Sequence, residues 1–309
     1  MEHPLVVLGS ASQVPTRHRN HNGYFLRWGS LGFLFDPGEG TQRQMERFGV
    51  RASSITDICV THFHGDHCLG LPGVLQRIHG DGVKHEVHVR FPATGQRWYN
   101  NLVDACAYEP RTPIVPTPVP VVGTTLTLPT GHRLTALPLR HRIDTVGWRL
   151  EGPSRWRVDP ERARAVGLDG PAIGAVMRTG SVDVDGRLVT RPDIAVERPG
   201  RSFAFVMDTA PCEAIVALAR DVDLLTIEAT YVDADATLAE AYLHLTARQA
   251  ASLAEVAGAR RLLLTHFSRR YADSSVHAAE AKEVHADVWL AEDGLEVPWP
   301  DEFPTNVHV

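Results

Sequence analysis

The sequence Thr61-His62-Phe63-His64-Gly65-Asp66-His67 places three imidazoles and one carboxylate within a run of six residues. Side chains two residues apart on a chain leaving a strand point to the same side, so His62 and His64 can reach one cation. Gly65 allows a sharp turn, after which Asp66 and His67 project from the start of a helix toward a second position. Paired ions in such sites lie about 3.5–4 Å apart. The spacing therefore predicts a dinuclear metal site, because a single ion needs fewer ligands.

Four strand-like runs along the chain each end just before a residue that can bind a metal. They are ITDICVT before His62, RLTALPLR before His141, SFAFVM before Asp208 and ARRLLLT before His266. Apolar residues at helical spacing occur after these runs, at residues 69–79, 213–220 and 247–257. Strands that alternate with helices predict an α/β fold whose candidate ligands meet at one edge, where the strands end.

Two stretches differ in composition from the rest of the chain. Residues 108–130 are rich in proline, which is excluded from helix interiors and central strands, so loop or edge structure is predicted there. Residues 151–200 combine Gly, Pro and Arg without a long apolar run. This second stretch predicts a surface excursion that adds little to the core, with at most a small helix near residues 160–166 and a hairpin around Asp185-Gly186.

The overall composition is that of an ordinary globular protein, with 43% hydrophobic and 22% charged residues. We expect a single domain over residues 1–309, with residues 152–200 inserted in it. No apolar run approaches the roughly 18 residues that cross a membrane, and the first residues lack the pattern of a signal peptide, so we expect a cytoplasmic protein with no membrane contact. The cysteines are expected to be free thiols; they are Cys59, Cys68, Cys106 and Cys212.

The distribution of charge matters more than its total. A net charge of -6 would oppose binding of a polyanion if the charge were evenly spread. Nearly all cations are arginines, however, and the guanidinium group binds phosphate oxygens through two parallel hydrogen bonds. They concentrate near Arg17 and Arg19 and again between residues 155 and 201. Charge alone favours ordinary solvated arginines, so an RNA partner requires a further observation.

That observation is a resemblance to a known family. The H-x-H-x-D-H spacing is the signature of the metallo-β-lactamase superfamily, and the chain resembles its tRNA 3′-processing branch, the ribonuclease Z family. The resemblance extends over nearly the whole chain in matching order and spacing. It rests on VLGSASQVPTRHRN at 7–20, LFDPGEGTQRQM at 34–45, THFHGDHCLGLPG at 61–73, IEAT at 227–230, HLTARQAA at 244–251 and LLLTHFSRRY at 262–271.

The resemblance implies an αββα sandwich with a protruding Gly/Pro/Arg-rich arm and a set of seven metal ligands. His62, His64 and His141 would hold one zinc ion, and Asp66, His67 and His266 would hold the other. Asp208 would bridge the two ions. Each subunit would bind two Zn²⁺, with Mn²⁺ or Mg²⁺ as possible substitutes. Nitrogen and oxygen donors of this kind suit such ions without a thiolate, so Cys68 is interpreted as a packed helix residue.

The same resemblance implies roles for residues around the ligands. Asp66 would also act as the general base, while His244, oriented by Glu228, would protonate the departing ribose oxygen. From spacing alone, His244 would be a helix-start histidine and Glu228 a buried, paired carboxylate. Substrate contacts would come from the following residues: Arg17, Arg19 and Asn20 near the acceptor end, and Gly170-Pro171 and Asp185-Gly186-Arg187 in the arm.

The expected activity is endonucleolytic removal of the 3′ trailer from precursor tRNA, which leaves a tRNA 3′-hydroxyl and a 5′-phosphorylated trailer. The family implies a homodimer. Two alternatives stay open at this point: a small-molecule phosphodiesterase or arylsulfatase-like hydrolase of the same superfamily, and an inactive RNA-binding relative. Six other histidines have no partner at ligand spacing and are expected to be surface or core polar residues; they are His79, His85, His88, His132, His277 and His285.

Overall fold

The structure, a computed structural model, describes residues 4–184 and 186–300. Its strands, in chain order, are β1 (Leu5–Gly9), β2 (Ala11–Ser12), β3 (Gly23–Trp28), β4 (Leu31–Phe35), β5 (Asp57–Cys59), β6 (Val87–Pro92), β7 (Ile114–Val119), β8 (Thr124–Thr127), β9 (Arg133–Leu139), β10 (Thr145–Glu151), β11 (Arg155–Val158), β12 (Ser181–Val184), β13 (Arg187–Thr190), β14 (Ala195–Arg198), β15 (Ser202–Val206), β16 (Leu224–Glu228), β17 (Arg261–Thr265), β18 (Phe267–Ser268), β19 (Val288–Leu290) and β20 (Glu296–Val297). Its α-helices are α1 (Thr41–Arg47), α2 (Gly65–Cys68), α3 (Leu71–Gly80), α4 (Gln96–Val103), α5 (Pro160–Ala165), α6 (Gly170–Thr179), α7 (Arg191–Ile194), α8 (Glu213–Ala219), α9 (Ala236–Tyr242), α10 (Ala247–Ala257) and α11 (Ser275–Lys282).

Two mixed sheets of seven strands form the framework. The first has the order β20-β1-β3-β4-β5-β6-β7, and the second has the order β19-β17-β16-β15-β10-β9-β8. β4, β5, β6 and β7 run parallel to one another, as do β15, β16, β17 and β19. The proline-rich stretch supplies the edge strands β7 and β8, which confirms the prediction of loop or edge structure for residues 108–130.

The core lies between the sheets and also beneath the helices, because successive strand residues point to opposite faces. On the inner face, the ring of Phe35 lies 4.8 Å from that of Phe205 and 5.4 Å from that of Phe203, measured between centroids. On the outer face, Leu34 belongs to a second buried cluster that includes residues of α3. α10 packs on β16 and β17. The result is an α/β sandwich of two sheets with helices packed on them, as predicted.

The described residues divide into two compact units. The first comprises residues 4–126, 134–150 and 203–300; the second comprises residues 127–133 and 151–202. The second unit therefore contains the whole stretch that the sequence predicts to be an insertion. It includes the antiparallel pairs β11–β14 and β12–β13, and a hydrophobic cluster of its own around Val176, Val189 and Ile194.

The prediction of at most one small helix in this stretch is wrong. α6 forms in addition to α5, because Asp169 caps its first turn, Pro171 fits that turn, and Gly180 ends the helix with a φ of 92°. Its apolar residues Ile173 and Val176 face the local cluster at helical spacing. The hairpin prediction is confirmed by β12 and β13, although Asp185 itself lies outside the described residues.

The cysteines are free thiols, as predicted, and Cys59 and Cys68 are buried. Among the residues that the structure describes, no helix is long and apolar enough to span a membrane.

Candidate metal centre

Four strand ends bring the seven predicted ligands together. His62 and His64 lie in the loop between β5 and α2, and α2 itself carries Asp66 and His67. The remaining three follow the C-terminal ends of separate strands of the second sheet: His141 follows β9, Asp208 follows β15, and His266 follows β17. The ligating atoms of these seven residues form two groups, and within each group they lie no more than 4.8 Å apart. His244 forms a further group of the same kind with Asp208 and His266.

The first group consists of His62, His64, His141 and Asp208. The Nδ1 atom of His64 lies 3.0 Å from Nε2 of His62 and 3.3 Å from Nε2 of His141. The Oδ2 atom of Asp208 is 3.6 Å from Nε2 of His62 and 3.6 Å from Nε2 of His141. Three imidazole nitrogens and one carboxylate oxygen thus surround one position.

The second group consists of Asp66, His67 and His266, and it shares Asp208 with the first. Oδ2 of Asp66 is 3.4 Å from Nε2 of His67 and 3.5 Å from Nε2 of His266. Oδ1 of Asp208 lies 3.2 Å from each of the same two nitrogens. Asp208 therefore turns one carboxylate oxygen toward each group.

Buried atoms without hydrogen bonds show that the site fits metal ions. Within the described ranges, Oδ1 of Asp208 and Nε2 of His266 are buried and have no hydrogen-bond partner. Leaving a buried polar atom unsatisfied costs about 1–3 kcal/mol. Both atoms face the centre of the second group, and nitrogen and oxygen donors are the ligands that divalent cations such as zinc accept. The two groups are therefore suited to a pair of metal ions.

The backbone is strained where side chains enter the site. Asp208 and His266 have φ values of 40° and 59°, and Asp36, which follows β4, has a φ of 42°. Such values are uncommon outside glycine and are held in place by surrounding structure, often at functional sites. Here they turn side chains at strand ends toward the two groups.

Asp36 is a functional residue that the sequence analysis did not assign. It is fully buried, and it accepts hydrogen bonds from the Thr61 N–H at 2.7 Å, the Thr61 hydroxyl at 2.7 Å and Nδ1 of His67 at 2.8 Å. Burial raises the pKa of Asp36, and the hydrogen bonds from His67 and Thr61 oppose that rise. A carboxylate behind a ligating histidine fixes the ring orientation. A sequence pattern could have revealed Asp36, because it directly follows the strand-like run LGFLF, just as the candidate ligands follow strand-like runs.

Two glycines allow the Asp36 loop to pack on α2. A Cβ atom on Gly38 would clash with the carbonyl oxygen of Asp66, and one on Gly70 would clash with the carbonyl oxygen of Gly38. The N–H of Gly70 donates to the carbonyl of Pro37 at 2.9 Å. Glycine at both positions therefore allows the backbone of the Asp36 loop to approach α2 and Gly70 closely.

Charge and burial oppose each other around the ligands. Burial lowers the pKa values of His62, His64 and His141, which keeps these imidazoles neutral and able to bind a cation. Burial would raise the pKa of Asp66, but the neighbouring His67 and His266 hold it below its usual range. Asp66 is thus ionised, and its Oδ2 atom is fixed by the N–H of Gln13 at 2.8 Å.

His244 and Glu228 form a hydrogen-bonded pair beside the second group. Nδ1 of His244 donates to Oε1 of Glu228 at 2.9 Å, and Glu228 is fully buried. Burial lowers the pKa of His244, but the charges of Glu228 and Asp208 outweigh it and raise that pKa to about 9. The imidazole is therefore a proton donor at neutral pH. Spacing alone predicts that Glu228 is a buried, paired carboxylate, and its burial and its hydrogen bond with His244 agree with that prediction.

The two groups open into a cleft of about 950 Å³ whose lining includes His64, Asp66, His141, Asp208, His244 and His266. Arg17 is exposed. Arg19, in contrast, packs its guanidinium 4.7 Å from the ring centre of Phe267 and donates to the carbonyl of Ala291 at 2.9 Å. Asn20 donates from its side chain to the carbonyl of Glu39 at 2.8 Å.

The remaining predicted residues lie elsewhere. Gly170 and Pro171 are exposed at the start of α6, in the second unit, outside the cleft lining. None of the six histidines set aside in the sequence analysis belongs to a ligand group in the part of the chain that the structure describes. His79, for example, is buried and accepts hydrogen bonds from the N–H groups of Arg111 and Thr112.

Comparison with known proteins agrees with this geometry. The profile of the metallo-beta-lactamase superfamily matches residues 16–220. The chain is 52% identical to ribonuclease Z of Nocardia farcinica over 297 residues, which covers 96% of this chain and 97% of that protein. It is 49% identical to ribonuclease Z of Streptomyces coelicolor, with 96% and 97% covered. The chain belongs to the ribonuclease Z family.

Solved structures share the fold. The crystal structure of the short form of human tRNase Z superposes with a TM-score of 0.67 at 25% identity, and covers 96% of this chain and 99% of that one. A diphosphatase from the PhnP family gives a TM-score of 0.62 at 18% identity, with 96% and 97% covered, which shows the fold alone. As a ribonuclease Z, the chain is a metal-dependent hydrolase and a tRNA 3′-processing endonuclease.

Proposed function

We propose that this ribonuclease Z cleaves precursor tRNA at the cleft, with two zinc ions held by the seven ligands, and leaves a tRNA 3′-hydroxyl and a 5′-phosphorylated trailer. The observation that carries the proposal is the position of Asp208. Its two oxygens face separate groups of imidazoles, at 3.2 Å for Oδ1 and 3.6 Å for Oδ2. A shared carboxylate of this kind suits a pair of ions rather than one.

In the proposed assignment, His62, His64 and His141 hold one ion, and Asp66, His67 and His266 hold the other. When bound, such ions would lower the pKa of the attacking water and would neutralise charge on the phosphoryl oxygens. The donor set contains no thiolate, so Mn²⁺ or Mg²⁺ are possible substitutes.

The chain's own residues supply orientation and proton transfer. Asp66 is ionised and its Oδ2 atom is fixed by the N–H of Gln13, so it can orient the attacking water. The family resemblance also gives it the role of general base, in which it accepts the proton of that water. His244 is protonated at neutral pH and can protonate the departing 3′-oxygen of the tRNA, while Glu228 fixes its ring and stabilises its charge. Acid and base thus occupy separate positions in the lining of one cleft.

The second unit, with residues 152–200, is proposed to bind the tRNA as an arm, with contacts at Gly170-Pro171 and along its arginines. Phosphate contacts by arginine would make this binding weaker at high salt. Arg17 is exposed and available to the acceptor end, whereas the inward contacts of Arg19 and Asn20 suit support of their loop. The homodimer that the family implies and the cytoplasmic location that we expect from the sequence remain part of the proposal.

Two variants test the proposal. Asp66→Ala, compared with wild type at matched folding, is expected to lose cleavage of a labelled precursor tRNA; equal rates would remove Asp66 from the mechanism. Removal of residues 153–200 is feasible because the Gly152 N–H donates to the Arg201 carbonyl at 2.8 Å, so the cut ends are neighbours. We expect this variant to lose tRNA cleavage but to keep hydrolysis of a bis-aryl phosphate. Unchanged tRNA cleavage would refute the role of the arm.

A further inference from the structure

Two buried threonines connect carboxylates to candidate ligands. Thr61 contacts Asp36 and His62: its hydroxyl donates to Oδ2 of Asp36 at 2.7 Å and lies 3.0 Å from Nδ1 of His62. Thr230 repeats the arrangement on the other side, where its hydroxyl donates to Oε2 of Glu228 at 2.6 Å and lies 2.8 Å from Nδ1 of His266. Both threonines are buried, so water does not compete for these contacts.

A hydroxyl group carries a single proton, and this decides the direction of each chain of hydrogen bonds. The hydroxyl of Thr61 donates this proton to Asp36, and the hydroxyl of Thr230 donates it to Glu228. The same hydroxyl oxygen can then only accept from the histidine, which places the histidine proton on Nδ1. Nε2 of His62 and Nε2 of His266 are then unprotonated, and each has a lone pair available for a metal.

The positions of those lone pairs match the two ligand groups. Nε2 of His62 faces Asp208 at 3.6 Å, and Nε2 of His266 faces Asp208 at 3.2 Å. A metal binds imidazole through an unprotonated nitrogen, and the hydrogen bond of the other nitrogen determines which one is free. Each group therefore contains one histidine whose tautomer depends on a threonine.

We propose that Thr61 and Thr230 are positioning residues that fix the tautomers of His62 and His266 and so prepare one histidine in each metal site. This inference rests on the proposed function. Thr61 serves the site of His62, and Thr230 serves the site of His266. Glu228 thus has two tasks, since it holds His244 directly and His266 through Thr230.

The test replaces each threonine by valine, which has nearly the same shape but cannot accept a hydrogen bond. Purified protein is dialysed against a chelator at a free Zn²⁺ level that just saturates wild type, and bound zinc is measured. We expect Thr61→Val and Thr230→Val each to lower the zinc affinity of one of the two sites by about 10–100-fold. This is the usual loss when a residue that hydrogen-bonds a metal ligand is replaced. Each variant would then retain about one ion per chain under conditions where wild type retains two.

Matched controls separate this role from packing. Thr61→Ser and Thr230→Ser keep the hydroxyl and should restore zinc binding. Thr226→Val changes a buried threonine of β16 whose hydroxyl has no partner among the described residues, so it should leave both sites unchanged. Thermal unfolding of the metal-free proteins checks that every variant folds.

A second measurement observes the tautomers directly. In metal-free protein labelled with ¹⁵N-histidine, NMR should show the proton of His62 and of His266 on Nδ1, and the valine variants should lose this preference one at a time. If wild type binds fewer than two ions, the proposed function itself fails. If wild type binds two ions, and both valine variants bind zinc as tightly as wild type with unchanged histidine tautomers, only the role of the threonines is refuted.

Discussion

Substitution of Glu228 by glutamine should make the cleavage rate fall, relative to wild type, as the pH rises above neutral. Glu228 accepts from His244 at 2.9 Å, and its charge is the largest influence that raises the pKa of His244 from 6.5 to about 9 against burial. Without that charge, burial is less opposed, and we expect the pKa of His244 to fall toward its ordinary value of 6.5. The rise in pKa from 6.5 to about 9 corresponds to about 3 kcal/mol of stabilisation of the imidazolium, which the substitution would remove.

The rate effect follows from the protonated fraction of His244. At about pH 8, that fraction is roughly 0.9 for a pKa of 9 and roughly 0.03 for a pKa of 6.5, so the pKa values of the metal-free protein set an upper limit of about 30-fold on the expected slowing by Glu228→Gln. At about pH 6, the two fractions differ by less than about twofold. The ratio of wild-type to variant rates should therefore increase with pH.

Single-turnover cleavage of an end-labelled precursor tRNA between about pH 6 and pH 9 measures this ratio, at saturating metal. Glu283→Gln is the control, because this exposed carboxylate pairs with Arg248 at 2.8 Å and belongs to no ligand group among the described residues, so the variant should behave as wild type. NMR titration of His244 in the metal-free proteins gives the pKa values directly. A ratio that stays constant over this pH range would refute the assignment of His244 as the proton donor controlled by Glu228.

The same pair links stability to pH in the metal-free protein. Because folding raises the pKa of His244, the pair stabilises the fold fully below about pH 6.5, and this contribution is lost as the pH rises through about 9. The difference in unfolding free energy between wild type and Glu228→Gln should therefore narrow across that interval. Denaturant unfolding at both ends of the interval measures it, and an equal difference throughout would contradict the raised pKa.

Three other substitutions give separate expectations. Asp208→Asn removes the carboxylate shared by both ligand groups, so bound zinc should fall to one ion or fewer and cleavage should fall by at least about 100-fold, as elemental analysis and single-turnover assays would show. Arg19→Ala should lower the unfolding midpoint, because this guanidinium packs on an aromatic ring and donates to a backbone carbonyl, whereas Arg17→Ala should leave the midpoint unchanged and weaken RNA binding instead. Gly38→Ala should lower the free energy of unfolding by about 1–3 kcal/mol, because the added Cβ atom meets the backbone of α2. Gly80→Ala, where the added Cβ atom meets nothing, should change it by less than about 0.5 kcal/mol in the same denaturant assay.

The ligands could be found from the sequence because their signals are local. His62, His64, Asp66 and His67 lie within one turn-containing segment, and their spacing alone predicts two metal positions. The distant ligands follow strand-like runs, and the ends of neighbouring parallel strands meet at one edge of a sheet. That rule needs no knowledge of the strand order, and it predicts only that Asp208 lies at this edge; its place between two ions is what the family resemblance implies. In the structure, Asp208 lies beside both groups.

The surroundings of the ligands could not be found in this way, because each contact joins segments far apart in the chain. Asp36 reaches Thr61 and His67 only because β4 and β5 are neighbours in the first sheet and a positive φ turns its side chain. The inward direction of Arg19 and the local core of the second unit are likewise products of packing. Sequence spacing therefore determined which residues can bind metal, whereas strand register, burial and backbone conformation decided which partners hold them, since a hydrogen bond depends on distances that only the folded chain defines.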